Sequence, residues 1–198
     1  MMDELAVVAR ARKGDSAAFE LLVERYQNQV YRLALRMCGN AHDAEEVAQE
    51  AFVAAWKGLP RFRGESKFST WLYQLTSHAA VDYLRREKRH RGLDDIDEQT
   101  DLAAEGSPHE AAENAELAGQ LQAALQSLTP EHRQIFLLRQ LQQLSYEEIA
   151  QTLGLEAGTV KSRLNRARKQ LQQKLSEQGN FSPASSVLKK ERRRSDDV

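Results

Sequence analysis

The chain has a single cysteine, Cys38, among its 198 residues. One thiol builds neither a disulfide framework nor a cysteine-based zinc site, and it suits a reducing cytosol. Cys38 reads as small apolar filler in a helix, with redox sensing as the alternative. No run of roughly eighteen apolar residues occurs, so neither a membrane span nor membrane insertion is expected. The N-terminus, MMDELAVVARARKGD, starts acidic and lacks a long apolar stretch, which argues against a secretory signal and for a cytoplasmic protein. Catalytic constellations are missing too. His42, His78, His90, His109 and His132 are scattered, without a spacing such as HExxH. There is no P-loop lysine, no nucleophile elbow and no GxGxxG after a strand. The acids Asp94, Asp95 and Asp97 sit in a stretch too irregular to preorganise a metal. The expectation is a protein without metal, cofactor or enzymatic activity.

What is present is charge, unevenly placed. Hydrophobic residues make up 41% and charged residues 29%, the composition of a soluble protein with modest cores, and the formal net charge is −1. Between Gly92 and Glu116 there is no lysine or arginine. The charges there are Asp94, Asp95, Asp97, Glu98, Asp101, Glu105, Glu110, Glu113 and Glu116. Basic segments flank this stretch: Arg85, Arg86, Lys88, Arg89 and Arg91 before it, and Lys161, Arg163, Arg166, Arg168, Lys169 and Lys174 after it. The near-zero total hides two basic surfaces joined by an acidic strap.

The apolar period is helical almost throughout, with no plausible strand and no internal repeat, so an all-α fold is predicted. Phe19, Leu22, Val23, Tyr26, Val30, Leu33 and Met37 step by three and four, with Asp15 or Ser16 as N-cap and Gly39 as stop. A helix from about Asn40 carries Val47, Ala48, Ala51, Phe52, Ala55 and Trp56 inward until Gly58 and Pro60 end it. A longer one runs from about Ser66 to Arg89 on Phe68, Trp71, Leu72, Leu75, Ala79 and Leu84. A short helix at Leu5 to Arg12 completes a bundle large enough to fold alone. The length suits two small domains. Residues 1–91 are read as the first, 92–115 as a flexible acidic linker, 116–176 as the second and 177–198 as a disordered tail. In the second, Leu117, Leu121, Leu125 and Leu128 resume the period. Thr129-Pro130-Glu131 then opens a helix with Ile135, Leu138 and Leu141 on one face.

The sharpest local signal is SYEEIAQTLGLEAGTVKSRLNRARKQL, from Ser145 to Leu171. Ser145 and Glu148 form a capping box. Ile149, Ala150 and Leu153 face inward, Gly154 supplies a positive φ to a tight turn, and Leu155 plugs the corner. The second helix, beginning by Gly158 or Thr159, buries Val160, Leu164, Ala167 and Leu171. It turns Lys161, Ser162, Asn165, Arg166 and Lys169 outward, with Arg163 and Arg168 on the flanks. That is a helix-turn-helix with a basic recognition helix. The alternative is an ordinary helical hairpin with a solvated basic face. From Thr159 through Leu175 there is no acid, however, and a face serving solubility mixes signs.

These residues resemble region four of the extracytoplasmic-function (ECF) group of bacterial sigma factors, as does the preceding LQSLTPEHRQIFLLRQLQQLS. In the first domain, DAEEVAQEAFVAAWKGLPRFRGESKFSTWLYQLTSHAAVDYLRREKR resembles sigma region two. The resemblance spans about Ala17 to Leu175. It implies that Lys161, Ser162, Asn165 and Arg166 approach bases of the minus-thirty-five promoter element, while Arg163, Arg168 and Lys169 hold phosphates, with Thr159 also among the DNA-binding residues. Glu156 departs from the proline or serine common in such turns. The loop Arg61, Phe62, Arg63, Gly64, Ser66, Lys67, with Trp71 and His78 on the following helix, is implied to read the minus-ten element as an unstacked single strand. His78 replaces the usual asparagine, which leaves open which base edge is read. Arg85 and Arg86 follow the nearby backbone. The acidic face of Asp43, Glu46, Gln49 and Glu50 reads as solvent decoration from the residues alone. The resemblance implies that it docks on the clamp helices of the largest subunit of core RNA polymerase. It also implies contact with the flap of the second-largest subunit, control by an anti-sigma factor, and a stress or envelope regulon. The competing readings are a free operator-binding regulator, which needs a dimer seam that is not evident, and a helical enzyme or adaptor.

Overall fold

The computed structural model describes residues 4–90 and 108–177. Glu4–Ala11 forms α1, Ser16–Cys38 α2, Ala41–Gly58 α3 and Phe68–His90 α4, with a 3-10 turn at Leu59–Arg61. Pro108–Gln126 is α5, Pro130–Gln140 α6, Tyr146–Leu153 α7 and Ala157–Glu177 α8. No strand occurs among the described residues, and the predicted all-α fold of two helical bundles is what the chain adopts.

The helix boundaries follow from local chemistry. The Asp15 carboxylate accepts the Ala18 N–H at 3.0 Å and caps α2, which Gly39 closes at φ 96°, a backbone state that costs glycine little. Asn40 accepts the Asp43 N–H at 2.9 Å to start α3. Thr129 caps α6 with Pro130 in its first turn, where the missing N–H is no loss. Leu22, Val30, Ala51, Ala55, Leu59, Phe68 and Leu72 fill the first bundle.

Three expectations change. α4 begins at Phe68, two residues after Ser66, once the loop has turned at Gly64. α5 begins at Pro108, so 108–115 of the predicted linker are helical, and 92–107 lie outside the described residues. Proline at the first position, with alanines and acids behind it, starts a helix that has no apolar period to announce it. The predicted tail lies outside the described residues from position 178. Trp56 and Leu141, placed inward by period, are 37% and 46% exposed. Ala44, Val47, Ala51 and Ala55 already fill the inner face of α3, so Trp56 leans sideways on Phe19, with ring centroids 5.0 Å apart. In α6 the core positions go to Ile135, Leu137 and Leu138.

The two bundles are also packed on each other. One continuous apolar cluster runs from Leu33, Met37 and Val81 in the first to Leu125, Leu128 and Leu138 in the second. Around it, Gln134 donates to the Ser77 hydroxyl at 3.1 Å, Gln74 to the Thr152 carbonyl, and Arg85 pairs with Glu131 at 2.8 Å.

Candidate nucleic-acid interface

α7 and α8 form the predicted helix-turn-helix. In the capping box, the Ser145 hydroxyl accepts the Glu148 N–H at 3.0 Å, and the Ser145 N–H donates to the Glu148 carboxylate at 2.7 Å. Gly154 ends α7 at φ 64°, and the Leu155 N–H reaches back to the Ala150 carbonyl at 2.9 Å. α8 buries Val160, Leu164, Ala167 and Leu171 and exposes Lys161, Ser162, Asn165, Arg166 and Lys169. Thr159, Arg163 and Arg168 are half-buried at the edges of that face. Such a helix offers donors and positive charge to a groove, with no carboxylate between Thr159 and Leu175 to repel phosphate.

The loop from Arg61 to Lys67 lies on the first bundle. Arg61, Arg63, Gly64, Ser66 and Lys67 are exposed, and Gly64 sits at φ 76°. Phe62 differs from its predicted place among the strand-contacting residues. It is buried, 6.2 Å from Phe68 edge to face and 4.9 Å from Trp71. The 3-10 turn ends there and swings the ring into the core, so Phe62 is a footing for Trp71, which remains half-buried. His78 is exposed about two turns further along α4. At the end of α4, Arg85, Arg86, Lys88 and Arg89 border a groove of about 960 Å³ that also contains Glu50 and Asp82. Arg85 is tied to Glu131, and Arg86 donates to both Glu50 oxygens at 2.9 and 3.1 Å.

The acidic face of α3 is smaller than the period indicates. Asp43 is 6% exposed, accepting the Tyr83 hydroxyl at 2.7 Å and the Asn40 amide at 2.8 Å. It holds α3 to α4. Glu50 is half-buried beside Arg86, which leaves Glu46 and Gln49 free to project. The face continues instead onto Val53 and Trp56, exposed at 46% and 37%. The period reading places Trp56 inward and passes over Val53, although both fall out of step with Val47, Ala51 and Ala55 on α3.

Two family models match the chain: sigma-70 region 2 over residues 22–90 and sigma-70 region 4 over residues 118–171. The chain belongs to the sigma-70 family. The ECF RNA polymerase sigma factor SigW of Bacillus subtilis (strain 168) is 33% identical over 85% of this chain and 94% of its own. CnrH, solved in complex with the cytosolic domain of CnrY, is 26% identical with a TM-score of 0.61, covering 87% of this chain and 96% of that one. RpoE from Bartonella quintana, solved with the anti-sigma factor NepR, shares the fold at 22% identity and a TM-score of 0.64, covering 80% of this chain and 96% of its own. As an ECF sigma factor, the chain directs RNA polymerase to promoters and carries out no chemistry itself. Both family regions, in order on one chain, set aside the free regulator and the enzyme. Among the described residues, no helix is long and apolar enough to cross a membrane.

Proposed function

We propose that this sigma factor divides promoter recognition between three surfaces. α3 docks on the clamp helices of the polymerase largest subunit through Glu46 and Gln49, extended by Val53 and Trp56. The loop Arg61–Lys67 with Trp71 and His78 grips the unstacked minus-ten strand, and Arg85 and Arg86 follow the adjoining backbone once their carboxylate partners release them. α8 lies in the major groove of the minus-thirty-five element, with Lys161, Ser162, Asn165 and Arg166 toward bases and Thr159, Arg163, Arg168 and Lys169 toward phosphates. The second bundle also meets the flap of the second-largest subunit. The factor works in the cytoplasm on a stress or envelope regulon, held in check by an anti-sigma protein, as RpoE is bound by NepR. The observation that carries this reading is the α8 face, acid-free from Thr159 to Leu175 and exposed on one side while the other is core.

In reconstituted holoenzyme, Arg166→Ala is expected to cost about 1–3 kcal/mol in discrimination between promoter and scrambled minus-thirty-five sequences. Lys169→Ala is expected to weaken all sequences evenly and lower the salt slope. Sequence-independent losses in both variants would remove Arg166 from base reading.

A further inference from the structure

A buried phenol needs an acceptor wherever it sits. Tyr26, buried in the middle of α2, finds its acceptor twenty-two positions back, where its hydroxyl donates to the Glu4 carboxylate at 2.6 Å. Burial and that carboxylate hold the phenol protonated well above its usual range, so it serves as the donor. Arg25 completes the corner, with its guanidinium 3.2 Å from Glu4 and 5.9 Å over the Tyr26 ring.

α1 gives this carboxylate its place. At eight residues it is too short to persist in water alone, since isolated helices below about 12–15 residues are marginal. Val7, Val8 and Ala11 anchor it in the apolar cluster of the first bundle. Its far end is tied by Arg10, 2.7 Å from the Asp15 carboxylate that caps α2. Glu4, in the first turn, also suits the positive end of the helix. Held at both ends, α1 offers Glu4 to Tyr26 from a fixed direction.

The Tyr26 ring leads on to the loop side of the bundle. Its centroid lies 5.6 Å from that of Phe68, the first residue of α4. Phe68 meets Phe62 edge to face at 6.2 Å and Trp71 at 5.8 Å, and Phe62 meets Trp71 at 4.9 Å. These separations lie within the favourable range for aromatic pairs, about 4.5–7 Å. Gly58 adds a close approach from α3: a Cβ there would stand 3.1 Å from the Trp71 indole. Tyr26, Phe62 and Phe68 are the buried members of this row, and Trp71 is its half-buried end. A stacking side chain already held in place loses less freedom when a base arrives.

We propose that α1 is a strut for the minus-ten reader: Glu4, through the Tyr26 hydroxyl, fixes the row of Tyr26, Phe68 and Phe62 and so presets the Trp71 ring for an unstacked base. Glu4 and Tyr26 are positioning residues that act through Trp71. This deepens the reading of Trp71 and the Arg61–Lys67 loop as the minus-ten contact and rests on it. Because the strut governs stacking and not charge, it leaves the phosphate contacts of Arg61, Arg63 and Lys67, and hence the salt dependence of binding, unchanged.

The test measures binding of a fluorescent single-stranded minus-ten oligonucleotide to holoenzyme rebuilt with the full chain, with circular dichroism as the check on folding. Tyr26→Phe removes the bond and keeps the ring, Glu4→Ala removes the acceptor, and Glu4→Gln keeps an acceptor oxygen. Tyr26→Phe and Glu4→Ala are each expected to weaken binding about fivefold, the size of one net hydrogen bond, with the salt slope unchanged. Glu4→Gln is expected to stay near wild type. Trp71→Leu fills the space without a stacking surface. It is expected to weaken binding and to make Tyr26→Phe and Glu4→Ala silent when combined with either. In the free chain, Trp56→Phe leaves Trp71 as the one tryptophan, and its emission is expected to become more open to acrylamide quenching when Glu4→Ala is added. Folded Tyr26→Phe and Glu4→Ala proteins with wild-type binding or unchanged quenching would overturn the strut, as would Glu4→Gln as weak as Glu4→Ala. Losses that persist beside Trp71→Leu, or that alter the salt slope, would also overturn it, because Tyr26 would then act on the bundle at large. If Trp71→Leu alone leaves oligonucleotide binding unchanged, the reader assignment itself has failed, and the strut with it.

Discussion

The Tyr83 hydroxyl and the Asp43 carboxylate meet at 2.7 Å between α4 and α3, out of water. Burial and the neighbouring carboxylate push the Tyr83 pKa up, so the phenol stays protonated and donates. Tyr83→Phe leaves Asp43 buried with one acceptor bond fewer. It is expected to cost about 1–3 kcal/mol in urea unfolding while leaving helix content unchanged. A loss near zero would mean that water satisfies Asp43 and that the bond is incidental. This residue also shows where sequence stops being readable. Asp43, Glu46 and Glu50 share a helical face by spacing, and spacing was enough to pick out that face. The tyrosine forty positions on that claims Asp43, and the arginine that claims Glu50, are tertiary facts. Phe62 carries the same lesson in reverse: an aromatic among cations looks like a stacking platform until the chain path is known to turn it inward.

At the scale of elements, what is local was legible. The capping box, the positive-φ glycine and the two faces of α8 were each determined within a few residues, and the structure places them as the spacing indicates. Because the Ser145 cap is local, its contribution is separable. Ser145→Ala is expected to lower stability by about 1 kcal/mol, by removing an acceptor for the orphan N–H groups of α7. Thermal unfolding of the full chain measures this. An unchanged midpoint would show that α7 is held by packing alone. The start of α5 was not legible. Alanines and acids after Pro108 favour a helix without an apolar stripe, so the only signal was propensity, which is weak beside periodicity.

For the whole molecule, the division into two helical bundles follows from where the period stops and resumes, but their mutual packing does not. Gln122, Gln126, Arg133 and Gln134 read as ordinary polar residues, and their acceptors on α2 and α4 are mostly backbone carbonyls or small hydroxyls that carry no sequence signature. The function, in turn, belongs to an assembly larger than this chain, and the polymerase-docking surface proposed for it lies on α3. Glu46 and Gln49 project from α3 beside Val53 and Trp56, while the Arg86–Glu50 pair and the Asp43–Tyr83 bond remain internal. Changing Glu46 and Gln49 together to lysine spares both internal contacts, and exposed substitutions usually move stability by only about ±0.5 kcal/mol. Against a basic partner the same change replaces attraction by like charge. The deciding measurement is promoter-directed transcription by purified core polymerase with this double variant, alongside a polymerase pull-down and a circular dichroism spectrum. Unchanged helicity with lost polymerase binding and lost specific transcripts is the expected result. A folded double variant that still bound polymerase and started transcripts at wild-type levels would contradict docking through α3.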